Sequence, residues 1–289
     1  MKSDSGRPRM DAIERAHLKD PGDASHVMHR YPADPEFAGF LQRFWIPVWS
    51  VPRGREAPQR VLQYPVALVV VAADYARFYG VVSGISTTTL TGTGWAVGVM
   101  CAPAAGALIA GGPMSGYTDR HVDVSEVLGA AGDRLTTRVR EAMATDPAAP
   151  AAHTGAMGAF EEALRPYLPV DDDGLLVNRV VEFVEGDREV TRVAQVCEHF
   201  DLSERTLQRL VDRRLGLTPK WLIQRRRLQE AAEHLRAGPA GLGDVAALLG
   251  YADQAHFTRD FARVTAMTPG QFAARHAPGR ERGAPTGGA

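Results

Sequence analysis

Residues 253–269 read DQAHFTRDFARVTAMTP, and fifty positions earlier residues 203–219 read SERTLQRLVDRRLGLTP. Both copies have arginine at the seventh and eleventh positions and end in Thr-Pro. A repeat of this kind indicates two copies of one structural unit. Ser203 and Asp253 are good helix N-caps, because their side-chain oxygens accept hydrogen bonds from free N–H groups of the first turn. Each copy is therefore predicted to be a helix that ends before Thr-Pro.

A short helix and a tight turn are predicted in front of each copy. Residues 192–199 and 244–249 have helical apolar spacing, and three-residue turns follow them. Short helix, turn and capped second helix make a helix-turn-helix unit. Residues 219–236 predict one long helix of roughly 27 Å, at about 1.5 Å per residue. Such a helix could hold two recognition helices about one DNA turn apart, on the order of 34 Å.

Positive charge is concentrated in the part of the chain that contains the repeat. Residues 1–187 contain 17 Lys and Arg against 23 Asp and Glu, whereas residues 188–289 contain 16 against 11. A net charge of −6 therefore precedes one of +5. An excess of positive charge beside helix-turn-helix units is typical of nucleic-acid binding.

The N-terminal part of the chain is predicted to be β-rich. Short apolar segments alternate with turn signals over residues 31–128, in the pattern of a small barrel or sandwich. Helices are predicted at residues 124–129, 133–143 and 157–165, with linker-like breaks at 146–152 and 171–174. The second break is the predicted domain boundary, and the fold class is α+β.

The C-terminal sequence resembles the DNA-binding domain of the AraC/XylS regulator family. The resemblance covers about residues 176–275 and rests on Leu-Gln-Arg and Gly-Leu-Thr-Pro of the first copy, on residues 250–261, and on the closing Met-Thr-Pro-Gly-Gln-Phe. Ala266 departs from the family, which usually has glycine there, so its loop is expected to be stiffer or slightly rerouted. Residues 44–45, 60–65, 98–100 and 103–105 are similar, more loosely, to the cupin-like sensor domain that precedes such domains.

These resemblances imply four regions and a regulatory function. We expect a flexible arm at residues 1–30, a cupin-like barrel for sensing and dimerisation at 31–170, an AraC-type DNA-binding domain at 175–276 and a disordered tail at 277–289. The implied function is sequence-specific regulation of transcription, controlled by a small molecule bound in the N-terminal domain. Promoter DNA, RNA polymerase and a second copy of the chain are the implied partners. The helices predicted at 133–143 and 157–165 could form the dimer interface or simply pack against the barrel.

Side chains on the exposed face of a recognition helix meet base edges in the major groove. Arginine suits guanine, glutamine suits adenine, and alanine or a threonine methyl suits the thymine methyl group. The resemblance implies that side chains on the exposed faces of both recognition helices contact bases. Thr206 lies on the same face and is added to this set. The predicted base contacts are Arg205, Thr206, Gln208, Arg209, Gln254, Ala255, His256, Thr258 and Arg259. Phosphate contacts, which strengthen binding without reading sequence, are predicted for Arg213, Arg214, Lys220 and Arg263.

Structural roles are alternatives for several of these basic residues. Arg209 and Arg259 could pair with carboxylates such as Glu198 or Asp244 inside the domain, and both roles can coexist. The arginine run at residues 225–227 is interpreted as a solvated helix face, with DNA contact as its alternative.

Aromatic side chains of the N-terminal half are candidates for an effector pocket. Apolar pockets in small barrels suit small molecules. The candidates are Trp45, Trp49, Tyr64, Tyr79 and Trp95. The alternative is that these rings form the hydrophobic core.

No constellation typical of catalysis or metal binding is recognised in the sequence. His26 and His29 have a ligand-like spacing but fall in the predicted arm, so we expect neither a metal nor a cofactor. Cys101 is expected to be a buried thiol on a strand, and the chain is predicted not to be an enzyme. The alternatives are a DNA-repair-type regulator with a reactive Cys101 and a DNA-binding protein that needs no ligand.

The bulk composition predicts a cytoplasmic protein, and an activator of transcription fits that location. Only two cysteines occur in the 289 residues, which suits a reducing compartment. No apolar run reaches the roughly 18–20 residues of a membrane span, so no membrane partner is expected. The N-terminal sequence lacks the apolar centre of a signal peptide.

Overall fold

The computed structural model describes residues 23–238 and 241–276. The chain divides into two units, residues 1–226 and 227–289. The predicted boundary at residues 171–174 lies inside the first unit, so the first helix-turn-helix is part of the same unit as the β-rich region. The division of the sequence into four regions stays a prediction.

The described strands form two antiparallel sheets, which confirms the β-rich N-terminal part. The strands are β1 His26–Pro32, β2 Leu41–Ser50, β3 Ala57–Leu62, β4 Leu68–Ala72, β5 Ala76–Tyr79, β6 Ile85–Leu90, β7 Thr93–Cys101 and β8 His121–Asp123. Six of them form one sheet in the order β1-β2-β7-β4-β5-β8, and β3 pairs with β6 in the second.

Helices make up most of the remainder, and together with the sheets they confirm the α+β fold class. The first unit contains α1 Ala105–Ala110, α2 Val124–Leu128, α3 Ala130–Met143, α4 Pro150–Leu164, α5 Asp172–Gly186, α6 Val193–Phe200 and α7 Glu204–Leu215. The long helix α8, Pro219–Ala237, crosses from the first unit into the second. The second unit continues with α9 Leu242–Leu248, α10 Gln254–Thr265 and α11 Pro269–His276.

The larger core of the first unit lies between helices and one face of the six-stranded sheet. Side chains alternate between the two faces of a strand, so Phe44 and Ile46 of β2 reach this core together with Val97 and Val99 of β7. Phe160 of α4 meets Phe44 edge-on, with 5.8 Å between ring centroids. A second core joins α5, α6, α7 and the start of α8.

Two expectations about irregular segments are wrong. Residues 26–30 are not part of a flexible arm, because β1 pairs with β2 from His26 opposite Trp49 to Pro32 opposite Arg43. Residues 150–152 are not a linker, because Pro150 begins α4. Proline suits the first helical position, where its missing N–H would have no partner and its fixed φ already matches the helix. Residues 1–22 of the arm and the tail at 277–289 lie outside the described residues.

Candidate nucleic-acid interface

The first helix-turn-helix unit is formed by α6, a tight turn and α7. Asp201 ends α6 in the left-handed conformation, with φ 51° and ψ 48°. Ser203 then begins α7, because its Oγ accepts a hydrogen bond from the backbone N–H of Thr206 at 3.2 Å. This confirms the predicted N-cap. The Thr206 hydroxyl lies 2.8 Å from the same Oγ, so this candidate DNA contact is also part of the cap.

Helix α7 separates an apolar face from a polar one. Leu207, Leu210 and Val211 are buried in the second core, as their helical spacing predicts. The opposite face is exposed and carries Arg205, Gln208 and Arg209. Within the described part of the chain, neither arginine makes an ion pair. Both guanidinium groups are therefore available to an external partner.

The second unit repeats this arrangement with α9, a turn and α10. Asp253 is the N-cap, and its carboxylate accepts a hydrogen bond from the backbone N–H of His256 at 2.6 Å. Phe257 and Phe261 are fully buried, and Phe261 packs edge-on against Phe272 of α11. The opposite side of α10 exposes Gln254, Ala255, His256 and Arg259, while Thr258 is half-buried. Among the described residues, Arg259 has no ion-pair partner.

The recognition helices end in the same way, although the residues differ. Gly216 follows α7 with φ 70° and ψ 25°, and Ala266 follows α10 with φ 55° and ψ 18°. Both values lie in the left-handed region, which favours glycine. The expected rerouting of the Ala266 loop is therefore wrong, because the alanine adopts the conformation that glycine has in the first copy.

Three of the four predicted phosphate contacts are exposed. They are Arg213, Lys220 and Arg263. The prediction for Arg214 is wrong, because the residue is only 5% exposed and its guanidinium pairs with the carboxylate of Asp171. Burial alone would raise the pKa of Asp171, but hydrogen bonds from Arg214 and from the N–H of Gly174 bring it below its usual value. Arg214 thus joins α7 to the beginning of α5.

The arginine run of α8 is not a solvated face, and that expectation is also wrong. Arg225 is 1% and Arg226 is 2% exposed. Arg225 donates from Nε to the backbone oxygen of Gln63 at 2.5 Å, and its guanidinium lies 5.0 Å from the ring centre of Tyr64. Arg226 donates to the carbonyl oxygen of Val190 at 2.7 Å. Burial of a charged side chain is costly unless the charge is paired or hydrogen-bonded, and these contacts offset that cost.

Comparison with known proteins assigns the C-terminal part of the chain. A helix-turn-helix domain family matches residues 196–275, and a domain of unknown function (DUF6597) matches residues 29–123. The transcriptional activator RhaS of Escherichia coli strain SE11 is 39% identical over 74 residues, which are 26% of this chain and 27% of RhaS. The C-terminal region is an AraC-type helix-turn-helix domain. The chain spans about a quarter of the length of this relative.

Three solved structures are similar to this chain over different shares of its length. The C-terminal domain of AraT from Geobacillus stearothermophilus is 21% identical with a TM-score of 0.34, and covers 37% of this chain and 89% of its own. A probable AraC family transcriptional regulator from Rhodopseudomonas palustris is 25% identical with a TM-score of 0.33. The match covers 35% of this chain and 97% of the regulator. ToxT from Vibrio cholerae is 13% identical with a TM-score of 0.37. The match covers 88% of this chain and 99% of ToxT.

Ahead of the AraC-type domain, the second face of the six-stranded sheet gathers three of the five aromatic candidates. Trp45, Trp49 and Tyr79 pack against Val70 and its small neighbours on this face. The two tryptophan rings approach Gly98 and Gly94 closely, and a Cβ atom at these positions would stand 2.2 and 2.4 Å from ring carbons. Glycine at both positions is therefore required for this close approach.

The other two aromatic candidates lie elsewhere. Trp95 is 8% exposed and belongs to the core between sheet and helices. Tyr64 packs at the edge of the core that supports α7.

Two further residues of this face, Tyr75 and Arg77, were not predicted from the sequence. They lie beside Tyr79, with the Arg77 guanidinium 4.6 Å from the Tyr75 ring centre. Burial raises the pKa of Tyr75 to about 12. The alternation of residues along β5 was the signal for Arg77. We refer to Trp45, Trp49, Tyr75, Arg77 and Tyr79 as the aromatic face.

Cys101, His29 and His153 contact other parts of the protein itself. Cys101 is fully buried, and burial raises the pKa of its thiol to about 12. His29 lies on β1 with its ring 4.6 Å from that of His153, whose Nδ1 lies 2.7 Å from the Tyr31 hydroxyl oxygen. In residues 23–238 and 241–276, no three potential ligand side chains come together to hold a metal ion. Over the same residues, no helix is long and apolar enough to cross a membrane.

Proposed function

We propose that the protein is a sequence-specific, DNA-binding regulator of transcription. One observation carries the proposal: α7 and α10 each follow a tight turn and each expose a row of arginine and glutamine or histidine side chains that can bond to base edges. The rows are Arg205, Gln208 and Arg209 on α7, and Gln254, His256 and Arg259 on α10, with Thr206, Ala255 and Thr258 beside them. The donors and acceptors of these side chains match the pattern of the major groove.

Electrostatic attraction to phosphates supplies the rest of the binding. Arg213, Lys220 and Arg263 are exposed cations close in sequence to the reading residues. Each phosphate contact of this kind releases a counterion, so affinity should fall steeply with salt concentration. Arg214, Arg225 and Arg226 take no part in this, because their guanidinium groups bond within the protein.

The aromatic face is the proposed site for a small effector molecule. It combines apolar rings with the cation of Arg77 on a rigid sheet, which is the composition of many ligand sites. A ligand can alter DNA binding only if it binds one arrangement of the protein more tightly than another. In this proposal the helices α3 and α4 form the interface between two copies of the chain. The protein is an activator in the cytoplasm, and RNA polymerase is its further partner. The name of the relative RhaS as a transcriptional activator supports activation.

The alternatives are less consistent with the structure. A DNA-repair role needs a nucleophilic thiolate at Cys101, but that thiol is fully buried and its pKa of about 12 keeps it protonated. A DNA-binding protein without a ligand leaves the aromatic face without a role. We therefore infer that the protein is a regulator and not an enzyme.

Genome-wide mapping of bound DNA tests the proposal. We expect a small number of sites in promoters, with one shared sequence motif, and loss of those sites in the variant that combines Arg205→Ala and Arg259→Ala. Substrates of the enzymes encoded beside these sites can then be titrated while tryptophan fluorescence is followed, with Trp45→Leu as the variant that should not respond. Uniform binding without a motif would contradict sequence-specific regulation.

A further inference from the structure

Tyr251 lies in the turn of the second helix-turn-helix unit and packs against the first turn of α10. The residue is 6% exposed. Its ring centre lies 5.2 Å from that of His256, with the two rings perpendicular, and 5.3 Å from that of Phe257. The guanidinium of Arg227, on α8, stands over the same ring at 3.9 Å from its centre, and a cation in this place attracts an aromatic ring. Tyr251 therefore connects the long helix with a predicted base contact.

The first unit has an aliphatic residue in the corresponding place. Asp201 and Gly250 both have a positive φ, of 51° and 70°, in the turns of their units. The residues that follow, Leu202 and Tyr251, each donate a backbone hydrogen bond of 2.9 Å to the carbonyl oxygen five residues earlier. Leu202 packs against the core that supports α7, whereas the Tyr251 ring contacts α8 and α10. The turn is thus compatible with leucine, and the aromatic ring is specific to the second unit.

The two units hold an equivalent candidate base contact in different ways. Thr206 and His256 each lie three residues after the N-cap of their recognition helix. The Thr206 hydroxyl lies 2.8 Å from the side-chain oxygen of its N-cap, which fixes that side chain. The N-cap Asp253 bonds to the backbone N–H of His256, which does not fix the ring, and Nε2 lies 3.6 Å from the Asp260 carboxylate, beyond hydrogen-bonding distance. Packing against Tyr251 is what limits the rotation of this ring.

An ordered imidazole binds DNA more tightly than a mobile one. The His256 side chain is 47% exposed, and a half-exposed side chain without a packed neighbour populates several staggered rotamers. Selection of one rotamer when DNA binds costs entropy, and this cost reduces affinity by roughly 2- to 12-fold for one side chain. Contact with a buried ring removes that cost before binding, because the ring excludes competing rotamers. A base preference depends on the same order, since a hydrogen bond to a base edge requires a fixed direction.

We propose that Tyr251 is a positioning residue that holds His256 in the orientation in which its imidazole reads a base. The specificity of α10 then depends on a side chain that is itself too buried to meet a base. The proposal rests on the proposed function. The ring and not the hydroxyl group supplies this role, because Tyr251 Oη is buried and has no hydrogen-bond partner within residues 23–238 and 241–276. A buried hydroxyl group without a partner lowers stability, so phenylalanine should replace Tyr251 without loss.

The test uses the full chain and the duplexes that each protein selects from a random pool. The variants are Tyr251→Phe, which keeps the ring, Tyr251→Leu, which introduces the residue of the first unit, and His256→Ala. We expect the natural protein and Tyr251→Phe to select the same motif. Tyr251→Leu should bind that motif roughly 2- to 12-fold more weakly and lose the preference at one base position, which His256→Ala should lose as well. The positions read by α7 should stay unchanged in all three variants.

The double variant separates positioning from a purely structural role. After His256→Ala, Tyr251→Leu should cause little further loss of affinity, whereas losses that add would show that Tyr251 does not act through His256. A second measurement needs no variant: nuclear Overhauser effects in the natural chain should show one His256 rotamer beside the Tyr251 ring. Additive losses, an unchanged motif in Tyr251→Leu, a broadened motif in Tyr251→Phe or several His256 rotamers would each overturn the proposal while DNA binding stands. Failure of the natural protein to select any duplex would instead refute the proposed function, and this inference with it.

Discussion

The guanidinium of Arg225 donates to the carboxylate of Glu185 at 2.8 Å, and the two side chains are 1% and 9% exposed. Arg225 also bonds to the backbone oxygen of Gln63, which lies 162 residues away in sequence. One buried arginine thus joins α8, α5 and the segment before β4. The first helix-turn-helix is held against the β-rich part of its unit by this contact and by the hydrogen bond from the Thr118 hydroxyl to the carbonyl oxygen of Gly216, at 2.8 Å.

Removal of one partner of the buried pair should be costly. Arg225→Met leaves the Glu185 carboxylate buried without its cation, so the free energy of unfolding should fall by about 3–5 kcal/mol. Urea unfolding followed by tryptophan fluorescence measures this. The double variant Arg225→Met with Glu185→Leu should lose less than Arg225→Met alone, because no uncompensated charge remains. An equal or larger loss in the double variant would show that the pair has no such coupling.

Two adjacent arginines of α7 should have separate effects. Arg214→Met breaks the pair with the half-exposed Asp171 and should lower stability by about 1–2 kcal/mol, with the salt dependence of DNA binding unchanged. Arg213→Met, at an exposed position, should leave stability within about 0.5 kcal/mol. It should reduce the slope of log affinity against log salt by about 1. The reverse pattern would indicate that Arg214, and not Arg213, contacts DNA.

Ala266 should be a site where glycine stabilises the protein. Its φ of 55° costs an L residue energy that glycine does not lose. Ala266→Gly should therefore raise the free energy of unfolding of the second unit by about 0.5–1 kcal/mol, after the entropy of the unfolded glycine is allowed for.

The matched contrast is Gly216→Ala, which should destabilise the first unit. An added Cβ would stand 2.2 Å from the Thr118 Oγ1 and 2.7 Å from the carbonyl oxygen of Met114. Thermal melts of both variants give the comparison. A loss of stability in Ala266→Gly would contradict the left-handed conformation at this position.

The two cysteines should differ in reactivity. The Cys101 thiol is fully buried with a pKa of about 12, so almost none of it is thiolate at pH 8, and no reagent reaches it. Cys197 is half-buried, and burial also raises its pKa. With a disulfide reagent at pH 8, slow reaction of Cys197 is expected in the native protein, and Cys101 should react only in denaturant. Fast labelling of Cys101 in the native state would favour the DNA-repair alternative.

Local signals in the sequence predicted the recognition helices well. The N-caps at Ser203 and Asp253, and the buried positions such as Leu207 and Phe257, depend only on neighbours within a few residues. Proline after Thr218 likewise predicts where α8 begins. These features are confirmed because helix capping and amphipathic spacing act over one or two turns.

Features that depend on distant partners could not be predicted in the same way. Three consecutive arginines are typical of a solvated helix face, and only the arrival of Gln63, Tyr64 and Glu185 makes burial of Arg225 possible. Similarly, Trp45 and Trp95 are alike in sequence but face opposite sides of one sheet, which only the register of β2 and β7 determines. For the DNA interface, the sequence predicted which faces of α7 and α10 are exposed. Which bases these faces contact remains a prediction.

Affinity for a selected duplex, measured by fluorescence anisotropy with the full chain, tests the central claim most directly. Arg205→Ala and Arg259→Ala should each weaken binding by about 1–3 kcal/mol, or roughly 5- to 150-fold, and each should relax base preference at one position. Both arginines are exposed, so neither variant should change the unfolding midpoint. Unchanged affinity for that duplex in either variant would contradict the claim that both recognition helices read DNA.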